Sequence, residues 1–276
     1  MPNLDPFLRR ASKITSLPGL RRFHPPMNQV PDEESIAGFR ESQRLAQRAV
    51  KDVASHLREG WTEKRAAALL TTYLRDHGVE GFFHHSFAWF GERTRFDGIR
   101  GYGEYSPTDR VLLPGEIFIL DVAPIYKGFI SDIGYTQSLG ESAELAKARA
   151  FLEELRREIP RLATQAGFWQ IIDDKIKARG YENIHKKYPF SVLGHRVHRA
   201  SEKAAHLQFW NFGWQSFWEL TARGLFGQLL GPQFDGEMIG LWAIEPHLGT
   251  ESFGAKFEEI LLVTPEGAKW IDEQGW

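Results

Sequence analysis

The stretch LDVAPIYKGFISDIGYT, residues 120–136, decides the fold, because two acids stand in it among apolar residues. Asp121 follows Leu120, and Asp132 precedes Ile133. A carboxylate in such surroundings is costly to desolvate unless a partner compensates it. The segment IYKG predicts a tight turn, since Gly128 can adopt the positive φ that hairpins often need. We therefore expect Asp121 and Asp132 to face each other across a hairpin, with a divalent cation between them.

The pattern on either side of this hairpin predicts alternating helices and strands. Apolar spacings of three and four predict a helix over about 31–60, and Thr62 is the expected cap of a second helix ending near Gly78. Strands are expected at about 81–90, 116–123 and 129–137, followed by helices at about 141–166 and 168–179. Residues 189–200 are strand or loop, and two further strands close the chain. This order favours an α+β fold with two similar halves.

Composition excludes several classes of function. The 276 residues have a formal net charge of −2 and no lysine- or arginine-rich block, which argues against nucleic acid or an anionic membrane as partner. The chain has no cysteine, so disulfides, thiol catalysis and thiolate metal sites are excluded. No apolar run approaches the roughly 20 residues that cross a bilayer, and the first residues lack a signal-peptide core. A cytoplasmic location is the expectation.

Further candidate metal ligands occur where strands are expected. Glu245 follows an apolar run in WAIEPHLG, Glu258 and Glu259 precede one in AKFEEILLVT, and VLGHRVHR contains His195 and His198. Carboxylates with an imidazole suit Mn²⁺, Zn²⁺, Co²⁺ or Fe²⁺, and one or two ions could share them. Each residue taken alone is equally compatible with a turn, an exposed strand edge or a structural role. Their joint order along the chain favours a metal site.

These motifs resemble those of the pita-bread metallopeptidases, the M24 group of methionine aminopeptidase, aminopeptidase P, prolidase and creatinase. The resemblance runs from about residue 35 to the end and is nearer to the prolidase and aminopeptidase P branch. It implies an α+β pita-bread fold, with two pseudo-symmetric halves around a curved antiparallel sheet. The family's five ligands, Asp, Asp, His, Glu and Glu, match Asp121, Asp132, His195, Glu245 and Glu258 (rather than Glu259).

The resemblance also implies a chemistry. Two divalent ions, manganese first and cobalt, zinc or iron as alternatives, would be bridged by Asp132 and Glu258. A metal-bound hydroxide would attack an amide carbonyl, and Glu245 would also carry protons. The implied activity is that of an Xaa-Pro dipeptidase or aminopeptidase, on a small-molecule or short-peptide substrate. A homodimer is expected from the same family.

The chain departs from the family at two histidines. The family's substrate-contacting His lies about eighteen to twenty residues before the first Asp; that window reads GYGEY and has Tyr102 instead, while His84 and His85 are expected to lie too far upstream. For the family's second His, His198 is the expected catalytic counterpart and His206 the alternative. The missing His supports a non-peptidase reaction on the same scaffold, such as that of creatinase or a lyase. A catalytically silent, protein-binding relative is the third alternative.

The predicted organisation is a single catalytic domain of residues 32–276, with one segment before it and one insertion within it. Residues 1–31 are expected to form an N-terminal arm, and a Trp-rich insertion lies at about 203–236. Trp210, Trp214 and Trp218 recur every four residues, which indicates either core or dimer packing, or an aromatic wall over the metal site. On the second interpretation Trp210 binds substrate, together with His206 and Tyr102. Arginines at 93, 95 and 100 either bind a substrate carboxylate or form a solvated loop.

Overall fold

The computed structural model describes residues 28–200, 208–209, 212–213 and 227–275. Its four α-helices confirm the predicted ones: α1 (Glu33–His56), α2 (Glu63–Asp76), α3 (Ala143–Leu162) and α4 (Phe168–Ala178). The first three begin at side-chain caps, which satisfy free N–H groups of the first turn. The Asp32 carboxylate accepts from Ser35 N, the Thr62 hydroxyl from Arg65 N and the Ser142 hydroxyl from Leu145 N.

The strands form three antiparallel sheets. The first has the order β3-β2-β1-β8-β7, with β4 also paired to β2; the second has the order β14-β13-β10-β6-β9, and the third β12-β11-β5. Their bounds are β1 Gly81–Phe90, β2 Ile117–Tyr126, β3 Phe129–Ile130, β4 Ile133–Ser138, β5 Glu182–Asn183, β6 Gly194–Arg196, β7 Gln208–Phe209, β8 Phe212–Gly213, β9 Leu229–Leu230, β10 Gly240–Ile244, β11 His247–Gly249, β12 Gly254–Lys256, β13 Glu259–Thr264 and β14 Gly267–Trp270.

Each pair of helices covers sheet residues with its apolar face. The first core cluster joins α1 and α2 to β1, β2 and β4, with Leu45, Val50, Leu70, Phe90 and Leu120 among its members. The second joins α3 and α4 to the strands of the C-terminal half, with Leu152, Ile172, Trp242, Phe257 and Leu261 among its members. The α+β class with a helical pair before each set of strands is as predicted. None of the helices in the described ranges is long and apolar enough to cross a bilayer.

The central hairpin differs from the expectation in its register. Gly128 has φ +78°, as predicted for the turn. Across β2 and β4, however, Asp121 pairs with Gly134 and Val122 with Ile133. Asp132 lies in the break between β3 and β4 rather than opposite Asp121. The predicted direct cross-strand pairing was therefore wrong, because the second strand is interrupted just before Ile133.

The neighbouring strand β1 contains two irregularities that bear on the site. Its register with β2 shifts between Phe82 and His84, and again between His84 and Phe87. Each shift inserts an extra residue, which re-aims the side chains next to it. His84 is thereby turned towards the two acids of the hairpin.

Candidate metal site

Seven buried polar side chains from both halves converge at one place. Strands β1, β2, β6 and β12 each supply one, and the other three lie in the breaks and turns beside β4, β10 and β13. All are at most 9% exposed. They are His84, Asp121, Asp132, His195, Glu245, Lys256 and Glu258.

Asp132 is shared by two groups of possible ligands. Its Oδ1 lies 3.1 Å from His84 Nε2, and its Oδ2 lies 3.1 Å from His195 Nε2. Asp121 Oδ1 is 3.3 Å from the same His84 nitrogen, and Glu258 Oε1 is 4.0 Å from His195 Nε2. In each group the ligand atoms lie within 4.8 Å of one another. The groups are His84, Asp121 and Asp132, and Asp132, His195 and Glu258.

A lysine lies among the remaining carboxylate oxygens. Lys256 Nζ is 2.6 Å from Asp121 Oδ2, 2.7 Å from Glu245 Oε2 and 3.1 Å from Glu258 Oε2. Its side chain is only 3% exposed. The ammonium therefore offsets the repulsion of three buried carboxylates directly, since charged groups in the interior require a paired and hydrogen-bonded partner.

Burial and mutual charge shift the protonation of these groups. Burial alone would lower the pKa of His84, but the charges of Asp132 and Asp121 outweigh it and raise that pKa to about 9. Burial alone would raise the pKa of Asp132, yet His84 and His195 hold it below its ordinary value. Burial and the repulsion of Asp132 and Glu245 raise the pKa of Glu258 well above its ordinary value. The site thus concentrates strongly coupled charges in one buried place.

The donor set fits a divalent cation. The fully buried Glu258 Oε1 has no hydrogen-bond partner within the described part of the chain, whereas Asp121 Oδ1 lies 3.3 Å from His84 Nε2. An unpartnered buried oxygen carries an uncompensated desolvation cost of about 1–3 kcal/mol. Ligands at about 2.1 Å from a tetrahedral ion lie roughly 3.4 Å apart, a value between the 3.1 and 4.0 Å spacings around His195 Nε2. Mixed carboxylate and imidazole donors suit Mn, Zn, Co or Fe.

The other predicted site residues are placed less centrally. Glu245 contacts Lys256 and belongs to neither ligand group found among the described residues. His198 is buried at 6% exposure, just beyond β6, and is likewise in neither group. Tyr102 begins a 3₁₀ helix, Tyr102–Tyr105. His206 and Trp210, like Trp214, Trp218 and residues 1–27 of the expected arm, lie outside the described residues.

Neighbouring glutamates in the sequence take opposite roles. Glu259 points away from the site, and its Oε2 lies 2.8 Å from Arg156 NH2. Burial raises the pKa of Glu259 to about 7, against the opposing charge of Arg156. Glu258 therefore faces the cluster while Glu259 joins the core of the second half, which agrees with the preference for Glu258.

Two of the three clustered arginines are engaged within the fold. Arg93 Nε lies 3.0 Å from the buried Glu63 carboxylate. Arg95 pairs with Asp97 at 2.6 Å and with Glu182 at 2.8 Å. These pairs favour a structural role for the two guanidinium groups over capture of a substrate carboxylate.

Sequence reasoning missed two members of the cluster. His84 was expected to lie too far upstream to take the role of the family's substrate-contacting His, and its place among the acids was not foreseen; β1 pairs with β2, and its bulges turn the imidazole to Asp121. Lys256 is not part of the ligand motif. Its signal was present, since residues two apart on an extended chain face the same side, and Glu258 is two residues on.

Comparison with known proteins assigns the family. The model of metallopeptidase family M24 matches residues 37–265, most of the chain. The chain belongs to this family. An uncharacterized peptidase of Staphylococcus aureus (strain MSSA476) is 25% identical over 121 residues, which cover 44% of this chain and 33% of the relative.

Solved structures of the same family share the fold. The X-Pro aminopeptidase of Thermotoga maritima MSB8 superposes with a TM-score of 0.66 at 20% identity, over 89% of this chain and 62% of that one. The Xaa-Pro dipeptidase of Bacillus anthracis gives 0.62 at 19% identity, with the same two coverages. The M24 chain thus has the pita-bread fold, as the motifs predicted. Its match to the curated relatives spans about a third of their length.

Proposed function

We propose that this M24 chain is a divalent-metal-dependent hydrolase of the Xaa-Pro dipeptidase or aminopeptidase class, acting on an amide bond in a short peptide. The observation that carries the proposal is the buried Asp132, shared between two sets of possible ligands, one of which includes the unpartnered Glu258 Oε1. A buried carboxylate oxygen without a partner costs free energy, which a bound cation would offset.

The position of each residue in the site suggests its role. Asp132, His195 and Glu258, with Asp121 nearby, are the proposed metal ligands. A bound divalent ion supplies a water molecule of lowered pKa as nucleophile and polarises the amide carbonyl. Glu245 is the proposed proton carrier, since its buried carboxyl group lies beside the proposed ligands, and burial raises its pKa above the ordinary value despite the opposing charge of Lys256.

Several finer predictions belong to this proposal. Manganese as the native metal, a homodimer and a cytoplasmic location all stay predictions. The two ions bridged by Asp132 and Glu258, which the resemblance implies, are tested below against a single-ion site. His198 is proposed as a second catalytic imidazole. Tyr102, His206 and Trp210 are proposed to contact substrate.

The test combines metal exchange with one substitution. The purified protein is stripped with a chelator, reloaded with Mn²⁺, Co²⁺ or Zn²⁺, and assayed on a panel of Xaa-Pro dipeptides and longer Xaa-Pro peptides. We expect hydrolysis that disappears on stripping and returns on reloading. Glu245→Gln should lower kcat by about 100-fold or more, the usual contribution of a proton carrier, while metal remains bound. Glu251→Gln, an exposed acid, is the matched control.

Three outcomes separate the alternatives. Metal bound without cleavage of any peptide would reject the peptidase assignment and favour a non-peptidase reaction on the same scaffold. Cleavage that is indifferent to chelation would reject metal dependence. Neither metal nor turnover would favour the silent, protein-binding relative.

A further inference from the structure

We propose that the Lys256 ammonium permanently occupies one of the two cation positions of this site, so that the chain binds a single divalent ion. This inference rests on the proposed metal dependence and concerns the number and place of the ions. It assigns a role to a residue that the ligand motifs do not contain.

The fold builds the lysine into its place. The Thr136 hydroxyl donates to Lys256 O at 2.7 Å and accepts from Lys256 N at 2.8 Å, which fixes the backbone between β4 and β12. A Cβ added at Gly134, the residue paired with Asp121, would overlap Lys256 Cε. Because Gly134 has no side chain, the aliphatic part of Lys256 can pass beside it and bring the ammonium to the acids.

The ammonium uses oxygens that a second ion would need. A carboxylate that bridges two ions gives one oxygen to each. Glu258 Oε2 lies 3.1 Å from Lys256 Nζ, so only its Oε1 is left for a metal. Glu258 therefore bridges one metal ion to the ammonium rather than two ions to each other.

At the Asp121 end of the site, nitrogen atoms of Lys256 and His84 already contact the carboxylate oxygens. Asp121 Oδ2 lies 2.6 Å from Lys256 Nζ, and its Oδ1 faces His84 Nε2 at 3.3 Å. Asp132 Oδ1 faces the same imidazole at 3.1 Å. The imidazole contacts do not distinguish the two ends, because His195 Nε2 lies at the same 3.1 Å from Asp132 Oδ2. The difference is the ammonium, since an ion at the His84 end would lie close to its charge, which repels a cation strongly in a buried setting.

The opposite end keeps a complete donor set. Asp132 Oδ2, His195 Nε2 and Glu258 Oε1 point to a common place, and the last of these has no hydrogen-bond partner in the described chain. Three protein ligands with an open fourth position are typical of a catalytic metal site. The single ion is therefore assigned to Asp132, His195 and Glu258.

Metal stoichiometry tests the assignment without relying on activity. Full-length protein is stripped, saturated with Mn²⁺, freed of unbound ion by gel filtration and measured by elemental analysis. Electron paramagnetic resonance of the same samples distinguishes an isolated Mn²⁺ from an exchange-coupled pair. The variants are Lys256→Ala, which opens the position, Lys256→Arg, which keeps a cation, and Lys64→Met, a surface lysine paired with Asp109, as control.

We expect one isolated ion per chain in the wild type, Lys256→Arg and Lys64→Met, and a doubling to a coupled pair in Lys256→Ala. A coupled pair in the wild type would overturn the inference while leaving metal dependence intact. One ion in a folded Lys256→Ala would show that the lysine does not exclude the second. Should Lys256→Ala fail to fold, Lys256→Gln replaces it and the same doubling is required. No ion in the wild type would reject the proposed function itself.

Discussion

Glu63 and Glu258 are both buried glutamates, yet their surroundings differ completely. The Glu63 carboxylate accepts from Phe90 N, Arg93 Nε and both the backbone and hydroxyl of Thr108, all between 2.7 and 3.0 Å. Glu258 receives only Lys256 on one oxygen, and its other oxygen has no hydrogen-bond partner among the described residues. The protein itself satisfies the Glu63 carboxylate, which indicates a structural role, whereas the orphaned oxygen of Glu258 requires an explanation such as a bound ion.

The largest effect should follow from removing the shared ligand. Asp132→Asn keeps the size of the side chain but loses the charge that both ligand groups share, so we expect at least about 100-fold weaker Mn²⁺ binding and loss of turnover. Isothermal titration with Mn²⁺ measures the change, with Asp109→Asn on the surface as control. Unchanged Mn²⁺ affinity in Asp132→Asn would contradict the comparison, because the orphaned oxygen of Glu258 would then not mark a metal site.

The reverse behaviour is expected at Glu63. Glu63→Gln leaves Arg93 without its buried counter-charge and should reduce the free energy of unfolding by about 3 kcal/mol, without changing metal stoichiometry. Urea denaturation provides the measurement, and Glu92→Gln, whose side chain is 70% exposed, should cost under about 0.5 kcal/mol. Loss of metal from a folded Glu63→Gln would contradict its assignment as structural.

The free energy of unfolding should decrease at acid pH because of the buried His185. This imidazole is buried, and its Nε2 lies 2.8 Å from both the donor His247 N and the acceptor Glu245 O. Burial lowers the pKa of His185 to about 4 from 6.5, so the unfolded chain binds the extra proton first as pH falls. Stability is full above about pH 6.5 and declines towards pH 4, by about 2 kcal/mol at pH 5.

Urea unfolding at pH 7.5 and pH 5 measures this loss. The variant His185→Gln keeps an acceptor for His247 N but does not titrate. Its free energy of unfolding should therefore fall less between the two pH values, and the difference from the wild type is the contribution of His185. Equal losses in both proteins would assign the acid sensitivity to other groups.

The smallest effect is expected at the start of α2, next to Glu63. Thr62 Oγ1 accepts from Arg65 N at 3.2 Å, and Thr62→Ala should cost about 1 kcal/mol of stability. Thr62→Ser keeps the hydroxyl and should recover most of it. Thermal unfolding of the three proteins with equal metal content checks the difference, and a matching loss in Thr62→Ser would exclude the cap as its cause.

Local features of the fold were predictable because neighbours in sequence cause them. Apolar spacing and caps such as Thr62 predicted the helices, and Gly128 predicted the hairpin turn. The register of that hairpin was not predictable, since the break before Ile133 depends on how β2 pairs with two short strands at once. His84 and Lys256 were missed because strand pairing between distant segments brings them to the acids.

The sequence by itself determined the family and the fold class, and it predicted which acids and histidine form the metal motif, because these depend on residue type and order. Only the tertiary structure decided that His84 lies against Asp121 and Asp132, and that an ammonium shares Asp121, Glu245 and Glu258. Bulges in β1 and the space above Gly134 create these contacts, and both arise from packing between strands far apart in the chain. For that reason the number of cations was open in the sequence and becomes a testable quantity in the structure.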